Sequence, residues 1–137
     1  LLYRSYPTLG DLAAASDILL VACEGGQATA GLVDGAVLDA LGPDGFLINA
    51  ARGTIIDQPA LVSALRDGRI AGAALDVFRT EPLPPDDPYW KHPKVAVTPH
   101  AAGPTNDRSA TRKVAENINR VLAGEAPHPV LDMKQRY

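Results

Sequence analysis

The sequence predicts an α/β fold built on a parallel sheet, and three observations predict it. Short apolar runs alternate with stretches of helical spacing, as repeated strand–helix–strand units require. The runs are apolar at consecutive positions rather than at every second one, the pattern of strands covered on both faces. Polar and charged residues collect where those runs end, and in parallel sheets ligands gather at the carboxyl ends of the strands.

Taken in order, Thr8-Leu9-Gly10-Asp11 reads as a helix start of the capping-box kind, with Asp in place of Glu, ahead of Leu12-Ala13-Ala14-Ala15. Ile18 to Ala22 forms a first strand, apolar on both faces and so expected to be buried on both. Residues 31–41 carry Leu32, Val33, Ala36, Val37, Ala40 and Leu41 at helical spacing, and Gly42-Pro43-Asp44-Gly45 turns the chain. Phe46-Leu47-Ile48 is a second buried strand. Asp57 caps a helix with Pro59 in its first turn and Ala60, Leu61, Ala64 and Leu65 on one face, closed by Asp67-Gly68. Ile70–Val77 and Val95–Val97 are the third and fourth strands. Seven of the twelve prolines fall between Pro82 and Pro104, five of them between those two strands, so the segment joining the strands is a stiff surface loop. After Thr105 a helix runs to about Ala123, with Ala110, Val114, Ile118, Val121 and Leu122 facing inward and Gly124 ending it.

Composition narrows the classes of function. A chain of 137 residues holds one sizeable core. With 46% hydrophobic residues and a net charge of −3 of interleaved sign, it is a soluble globular protein with neither a disordered composition nor a basic stripe for nucleic acid. Cys23, the one cysteine, excludes a disulfide framework, and with the three histidines shows no metal-ligand spacing. No apolar run approaches the roughly 18–20 residues of a membrane span. The start, Leu1-Leu2-Tyr3-Arg4-Ser5, has neither an initiator Met nor a signal-peptide pattern and reads as an interior cut.

The residues that could carry chemistry lie at the strand ends. Cys23 and Glu24 follow the first strand, Asn49 to Arg52 the second, Asp76 the third and His100 the fourth, so four ends are expected to face one crevice. Arg52 sits in Asn49-Ala50-Ala51-Arg52-Gly53, where small neighbours admit a ligand to the backbone and a guanidinium can grip a carboxylate with two bonds. A surface arginine in a glycine turn fits the same residues. Asp76, among apolar neighbours, needs a partner, whether a ligand or the next loop. Glu81 and His100 both adjoin prolines. A carboxylate beside an imidazole fixes its tautomer and favours its protonated form, which suits a general acid. His92 and His128 read as structural, and Trp90 as a loop anchor in preference to a pocket wall. The chain has no Gly-x-Ser-x-Gly nucleophile turn and no G-x-G-x-x-G dinucleotide fingerprint.

Three ordered strings carry a resemblance. Ile48-Asn49-Ala50-Ala51-Arg52-Gly53-Thr54-Ile55-Ile56-Asp57 resembles one signature of the D-isomer-specific 2-hydroxyacid dehydrogenases. Gly72-Ala73-Ala74-Leu75-Asp76-Val77-Phe78 with Glu81-Pro82-Leu83-Pro84 resembles the next, and Val97-Thr98-Pro99-His100 the segment with their catalytic histidine. The run Pro82 to Pro93, with a tail ending in Arg136-Tyr137, is most similar to the glyoxylate/hydroxypyruvate reductase branch. The resemblance implies the second half of a Rossmann-like, parallel-sheet NAD(P)-binding domain in residues 1–104. Residues 105–137 would be a C-terminal helix and tail that pack toward a substrate-binding domain, with that domain and the glycine-rich turn upstream of Leu1.

The roles it implies follow residue by residue. Arg52 binds the carboxylate and 2-oxo oxygen of a small 2-oxoacid, His100 exchanges the proton on that oxygen, and Glu81 holds His100. Asp76 and the backbone around Ala50 and Ala51 position the nicotinamide end of NAD(P)H, with Arg52 beside it. Many relatives have a His-Thr-Pro or Leu-Pro type of sequence where this chain has Ala22-Cys23-Glu24-Gly25-Gly26, so the contact implied at Cys23 is through the backbone. Glu81 stands where formate-oxidising relatives have Gln, which argues against that activity. The resemblance further implies a cytoplasmic homodimer with no nucleic-acid or membrane partner. It leaves one alternative of another class, a non-catalytic, NAD(H)-sensing, corepressor-like binding protein.

Overall fold

The computed structural model describes residues 3–103 and 106–130, so Pro104, Thr105 and the tail ending in Arg136-Tyr137 lie outside the described residues. The chain divides after Ala102 into two compact units. The first is a four-stranded parallel sheet in the order β1-β2-β3-β4, with β1 Ile18–Val21, β2 Phe46–Asn49, β3 Gly72–Leu75 and β4 Val95–Val97. Its helices are α1 Leu9–Ala14, α2 Gly35–Leu41 and α3 Gln58–Arg66.

Local chemistry starts each helix. The Thr8 hydroxyl accepts the Asp11 N–H at 3.1 Å and donates to the Asp11 carboxylate at 2.7 Å, so the cap forms with Asp in the place usual for Glu. Asp57 caps α3 by accepting the Ala60 N–H, with Pro59 in the first turn. α2 begins later than the spacing of residues 31–41 suggests. The Asp34 carboxylate accepts the Val37 N–H and sets the start at Gly35. Val33 instead pairs with Ile56, donating to the Ile55 carbonyl and accepting from the Asp57 N–H, both at 3.0 Å. An apolar pair at helical spacing is thus claimed by a strand-like bridge.

The register lines up the strand ends. Val21, Asn49, Leu75 and Val97 are partners in one row across the sheet, and Leu19, Leu47, Ala73 and Val95 in another. Through β1, β2 and β3 these rows join Leu38, Leu41, Leu61, Ala64, Leu65 and Ile55 in the core. The ladder continues one residue further at each step: Ala50, Asp76 and Thr98 donate their N–H groups to Val21, Asn49 and Leu75. The residues that begin the three following turns therefore stand side by side.

Burial on both faces holds along β3 but not along β1 and β2. Ile18 and Leu20 are 57% and 59% exposed, and Phe46 is 48% exposed, while their alternate neighbours are buried. The residues of α1, α2 and α3 that enter the core meet only one set of alternate strand positions, and an apolar run records that a face can be covered without supplying the cover.

The proline-rich segment is irregular as expected, apart from a 3-10 turn at Pro88–Lys91. Its buried anchor is Tyr89, whose ring meets Phe78 at 6.5 Å between centroids, not Trp90. Burial, with Asp87 and Asp57 nearby, pushes the Tyr89 hydroxyl pKa up, so it stays protonated. The Trp90 indole N–H donates to the Pro84 carbonyl at 2.8 Å and leaves the ring half exposed on a cavity wall.

The second unit contains α4, Asp107–Leu122, capped by Asn106 and followed by Gly124 in the left-handed region. The inward-facing stripe expected on it is exposed instead, at Val114, Ile118, Val121 and Leu122. The described part of this unit holds one helix, so it offers no second layer to cover them.

Candidate active site

Two turns of the first unit carry the charged side chains. The turn after β2 carries Arg52, whose backbone is extended before a 3-10 turn at Gly53–Ile55. Its guanidinium donates to the Ala51 carbonyl at 2.7 Å. Its aliphatic stem lies on Gly25, where any Cβ would collide with it. Gly53 is required for a similar reason, since a Cβ there would overlap the Phe78 main chain.

Arg52 lines a cavity of about 760 Å³ with Ala22, Cys23, Glu24, Gly25, Gly26, Ala50 and Ala51. Glycines and alanines leave the backbone open at the ends of β1 and β2, where a parallel sheet binds its ligands. A flat ligand could approach the main chain closely here. Cys23 is exposed and on the wall of this cavity.

The turn after β4 carries His100, whose φ of 54° lies in the left-handed region. Few side chains adopt that conformation without support from their surroundings. Here the support is visible. The His100 N–H donates to the Thr98 carbonyl at 3.1 Å, and the next two N–H groups, of Ala101 and Ala102, donate to the Asp76 carboxylate at 2.9 Å each. The Thr98 hydroxyl donates to the same carboxylate at 2.5 Å. These bonds, led by that from Thr98, hold the Asp76 carboxyl below its ordinary pKa. The partner that Asp76 needs is thus supplied by the next loop, and the carboxylate is spent on holding His100.

Glu81 completes the arrangement. One carboxylate oxygen stands 2.8 Å from His100 Nδ1 and the other accepts the Phe78 N–H at 2.8 Å. The bond to His100, then that to Phe78, hold the Glu81 carboxyl below its usual range, with Arg52 a smaller contributor. An ionised carboxylate only accepts, so Nδ1 carries the proton and Nε2 is the nitrogen left to face a ligand. The pair lines a second cavity, of about 490 Å³, with Phe78, Pro82, Leu83, Trp90, Val97, Thr98 and Pro99.

Cys23, Ala50, Ala51 and Arg52 line the first cavity, Glu81 and His100 line the second, and Asp76 lines neither. Arg52 is near enough to Glu81 to help hold its carboxyl below the usual range. His92 accepts the Lys94 N–H on Nδ1 in a local turn. Sequence reasoning gave no role to Asn49 or Thr98. The available signal was a polar residue closing each apolar strand, one residue before a small or proline-containing turn.

Residues 2–102 match a family model described as D-isomer specific 2-hydroxyacid dehydrogenase, NAD binding domain. The chain is 47% identical over 126 residues to a glyoxylate/hydroxypyruvate reductase A of Arabidopsis thaliana, covering 90% of this chain and 40% of that protein. With a protein of the same name from Serratia proteamaculans it shares 42% identity over 109 residues, 80% of this chain and 35% of the relative. Among solved structures, an NADPH-dependent glyoxylate/hydroxypyruvate reductase from Sinorhizobium meliloti, in complex with NADP and malonate, superposes with a TM-score of 0.86 at 39% identity. That match covers 100% of this chain and 44% of the other. The chain thus spans less than half the length of each of these relatives.

Proposed function

Because the chain belongs to the D-isomer specific 2-hydroxyacid dehydrogenase family, through its NAD-binding domain, we propose that it is the part of an NAD(P)H-dependent reductase that carries the catalytic side chains. The substrate class is glyoxylate, hydroxypyruvate or a similar small 2-oxoacid. The observation that carries this reading is the His100–Glu81 pair at 2.8 Å, held at the end of β4 in a conformation a histidine needs help to adopt.

The cavity of small residues would hold the nicotinamide end of NAD(P)H, which would supply a hydride. Ala50, Ala51 and Cys23, which line that cavity, would offer main chain to it. Arg52 would bind the substrate carboxylate and its 2-oxo oxygen with its planar fork. His100 Nε2 would give a proton to that oxygen and take it back in the oxidative direction. Glu81 holds Nδ1–H, so the imidazole presents the same nitrogen throughout. Asp76 serves by fixing the main chain around His100. With a hydride delivered to carbon from bound NAD(P)H, the proton from His100 would complete the D-2-hydroxyacid.

Residues 105–137 are assigned to packing against a substrate-binding segment, which the exposed Val114, Ile118, Val121 and Leu122 support. A cytoplasmic homodimer is the expected working form, with NADH or NADPH as the reductant; the Sinorhizobium meliloti relative is NADPH-dependent.

The test is NADPH oxidation by the whole protein with glyoxylate and with hydroxypyruvate, each against a blank without substrate. A substrate-dependent rate is expected. Tight nucleotide binding with no rate above the blank would overturn the reading and favour a nucleotide-sensing protein instead.

A further inference from the structure

The turn that presents Arg52 is governed by a side chain to which the mechanism above gives no part. Asn49 closes β2 and is 1% exposed; among the described residues the buried polar or charged ones are Asn49 and Asp76. A buried amide costs free energy at each polar atom left without a partner. Both ends of this amide are bonded to the turn that follows. Oδ1 accepts the Ala51 N–H at 3.1 Å, and Nδ2 donates to the Arg52 carbonyl at 3.0 Å. The amide therefore grips the main chain on the two sides of the Ala51–Arg52 link, one donor and one acceptor, so neither peptide unit can rotate without breaking a bond. The Arg52 carbonyl also accepts the Ile55 N–H at 3.2 Å, which joins this grip to the 3-10 turn beyond it. A hydrophobic residue at position 49 would fill the same space, leave the Ala51 N–H without this partner and leave the Arg52 carbonyl with the Ile55 N–H alone.

The main chain of Asn49 connects the same residue to the other turn. Its carbonyl accepts the Asp76 N–H at 3.0 Å, and the Asp76 carboxylate holds Ala101, Ala102 and Thr98 around His100. The two buried polar residues thus stand one step apart across the sheet, each shaping the turn that carries one charged group.

We propose that Asn49 is a positioning residue for the 2-oxoacid, its amide setting the direction in which Arg52 leaves the turn. The inference rests on the function proposed above, in which Arg52 grips the substrate carboxylate. It assigns Asn49 to substrate binding and leaves proton transfer to the other turn.

Two variants of the whole protein test it. Asn49→Asp keeps the shape and the acceptor for Ala51 but sets an acceptor-only oxygen against the Arg52 carbonyl, so the turn opens. Asn49→Ala removes both bonds. With NADPH saturating, KM for glyoxylate rises about tenfold to a hundredfold in each, the scale of a misplacement of about an ångström. The turnover number changes much less, and the pH profile of kcat keeps its position because His100 and Glu81 are untouched. An unchanged KM in a folded variant overturns the proposal, as does a fall in kcat with a displaced pH profile. Should both variants fail to fold, Asn49→Ser, which retains an acceptor for Ala51, replaces them with the same expectation.

Amide exchange separates failure of this inference from failure of the functional reading. If the unsubstituted protein does not reduce glyoxylate, the functional reading fails. The grip is then judged on the Ala51 amide, which is protected in the unsubstituted protein and exchanges freely in Asn49→Ala while Ala101 and Ala102 keep their protection. An Ala51 amide that exchanges equally in both overturns the proposal.

Discussion

The turn after β2 is held by a neutral amide and by two missing side chains, whereas the turn after β4 is held by two carboxylates. Asn49 grips the first from beneath, and Gly25 and Gly53 leave room for the Arg52 stem and the Phe78 main chain. In the second, Asp76 binds three donors around a left-handed His100, and Glu81 binds its imidazole. The difference matches the role proposed for each group. An arginine stays charged at any working pH, so its turn has to supply direction alone. A histidine that passes a proton needs its tautomer fixed and its charge answered, which a nearby carboxylate supplies and an amide does not. One turn is shaped by packing and neutral bonds, the other by charge.

The largest effect that would break this division is at His100. His100→Ala should lower kcat in the whole protein by about two to four powers of ten, the usual contribution of a general acid, with little rise in KM. A variant turning over at full rate removes the proton from this turn altogether. Next comes Arg52→Lys, which keeps the charge and loses the planar fork. With one charge-assisted bond gone, about 1.5–3 kcal/mol, kcat/KM should fall roughly ten- to a hundredfold, mainly through KM. Steady-state kinetics on the two variants then either sort KM with the first turn and kcat with the second, or show the division to be false.

How far the two turns are legible in the sequence differs in the same way. The residue types that make the His100 turn are visible, since a histidine after a proline and a glutamate before one are candidates on chemistry alone. Their meeting is not visible, because 19 positions separate them and only the fold closes that gap. Asp76 shows its need for a partner, being a carboxylate in an apolar string, yet not that the partner is main chain two residues past His100. Asn49 is the least legible, because its importance lies in burial and in two bonds to residues two and three positions on. The helix caps at Thr8 and Asp57 are read correctly since cause and effect lie within one turn. Leu32 and Val33 mislead because helical spacing cannot see Ile56, and Tyr89 is overlooked because Trp90 is the larger ring. Ile18, Leu20 and the α4 stripe mislead in one further way. Apolar patterning says which surface a residue wants to leave, and the partner that lets it do so is a separate fact.

Gly53→Ala sharpens the claim that missing side chains shape the first turn. A Cβ at this position meets the carbonyl carbon and oxygen of Phe78, which are backbone and cannot swing aside. Overpacking of this kind costs about 1–3 kcal/mol, readable as a lowered midpoint in urea. Gly103→Ala, where a Cβ meets open space, serves as the control. Equal midpoints for the two variants would remove the glycine from the account.

The smallest effect, and the one that separates the turns most directly, is on pH. The Glu81 and Asp76 carboxyls are held below their ordinary values of 4.5 and 3.8, chiefly by the bonds to His100 and to Thr98. A carboxylate whose pKa is lower in the folded state stabilises that state fully above its unfolded value, and the contribution is lost as pH falls through the lowered one. Support for the His100 turn should therefore be complete at neutral pH, begin to weaken as pH passes below 4.5, and vanish only below the lowered values. Asn49 does not titrate, so the Arg52 turn has no matching loss. Amide exchange followed from about pH 6 down to about pH 3, corrected for the intrinsic rate, should show protection falling first at Ala101 and Ala102, which rest on Asp76, and at Phe78, which rests on Glu81. Ala51, resting on the amide, should keep its protection over the same range. In Glu81→Gln the acid-dependent loss at Phe78 should disappear while that at Ala101 and Ala102 remains, because only one of the two carboxylates has been made neutral. Simultaneous loss at all four amides would mean that acid opens the sheet edge as one unit, and the contrast between a turn held by charge and a turn held by packing would not survive it.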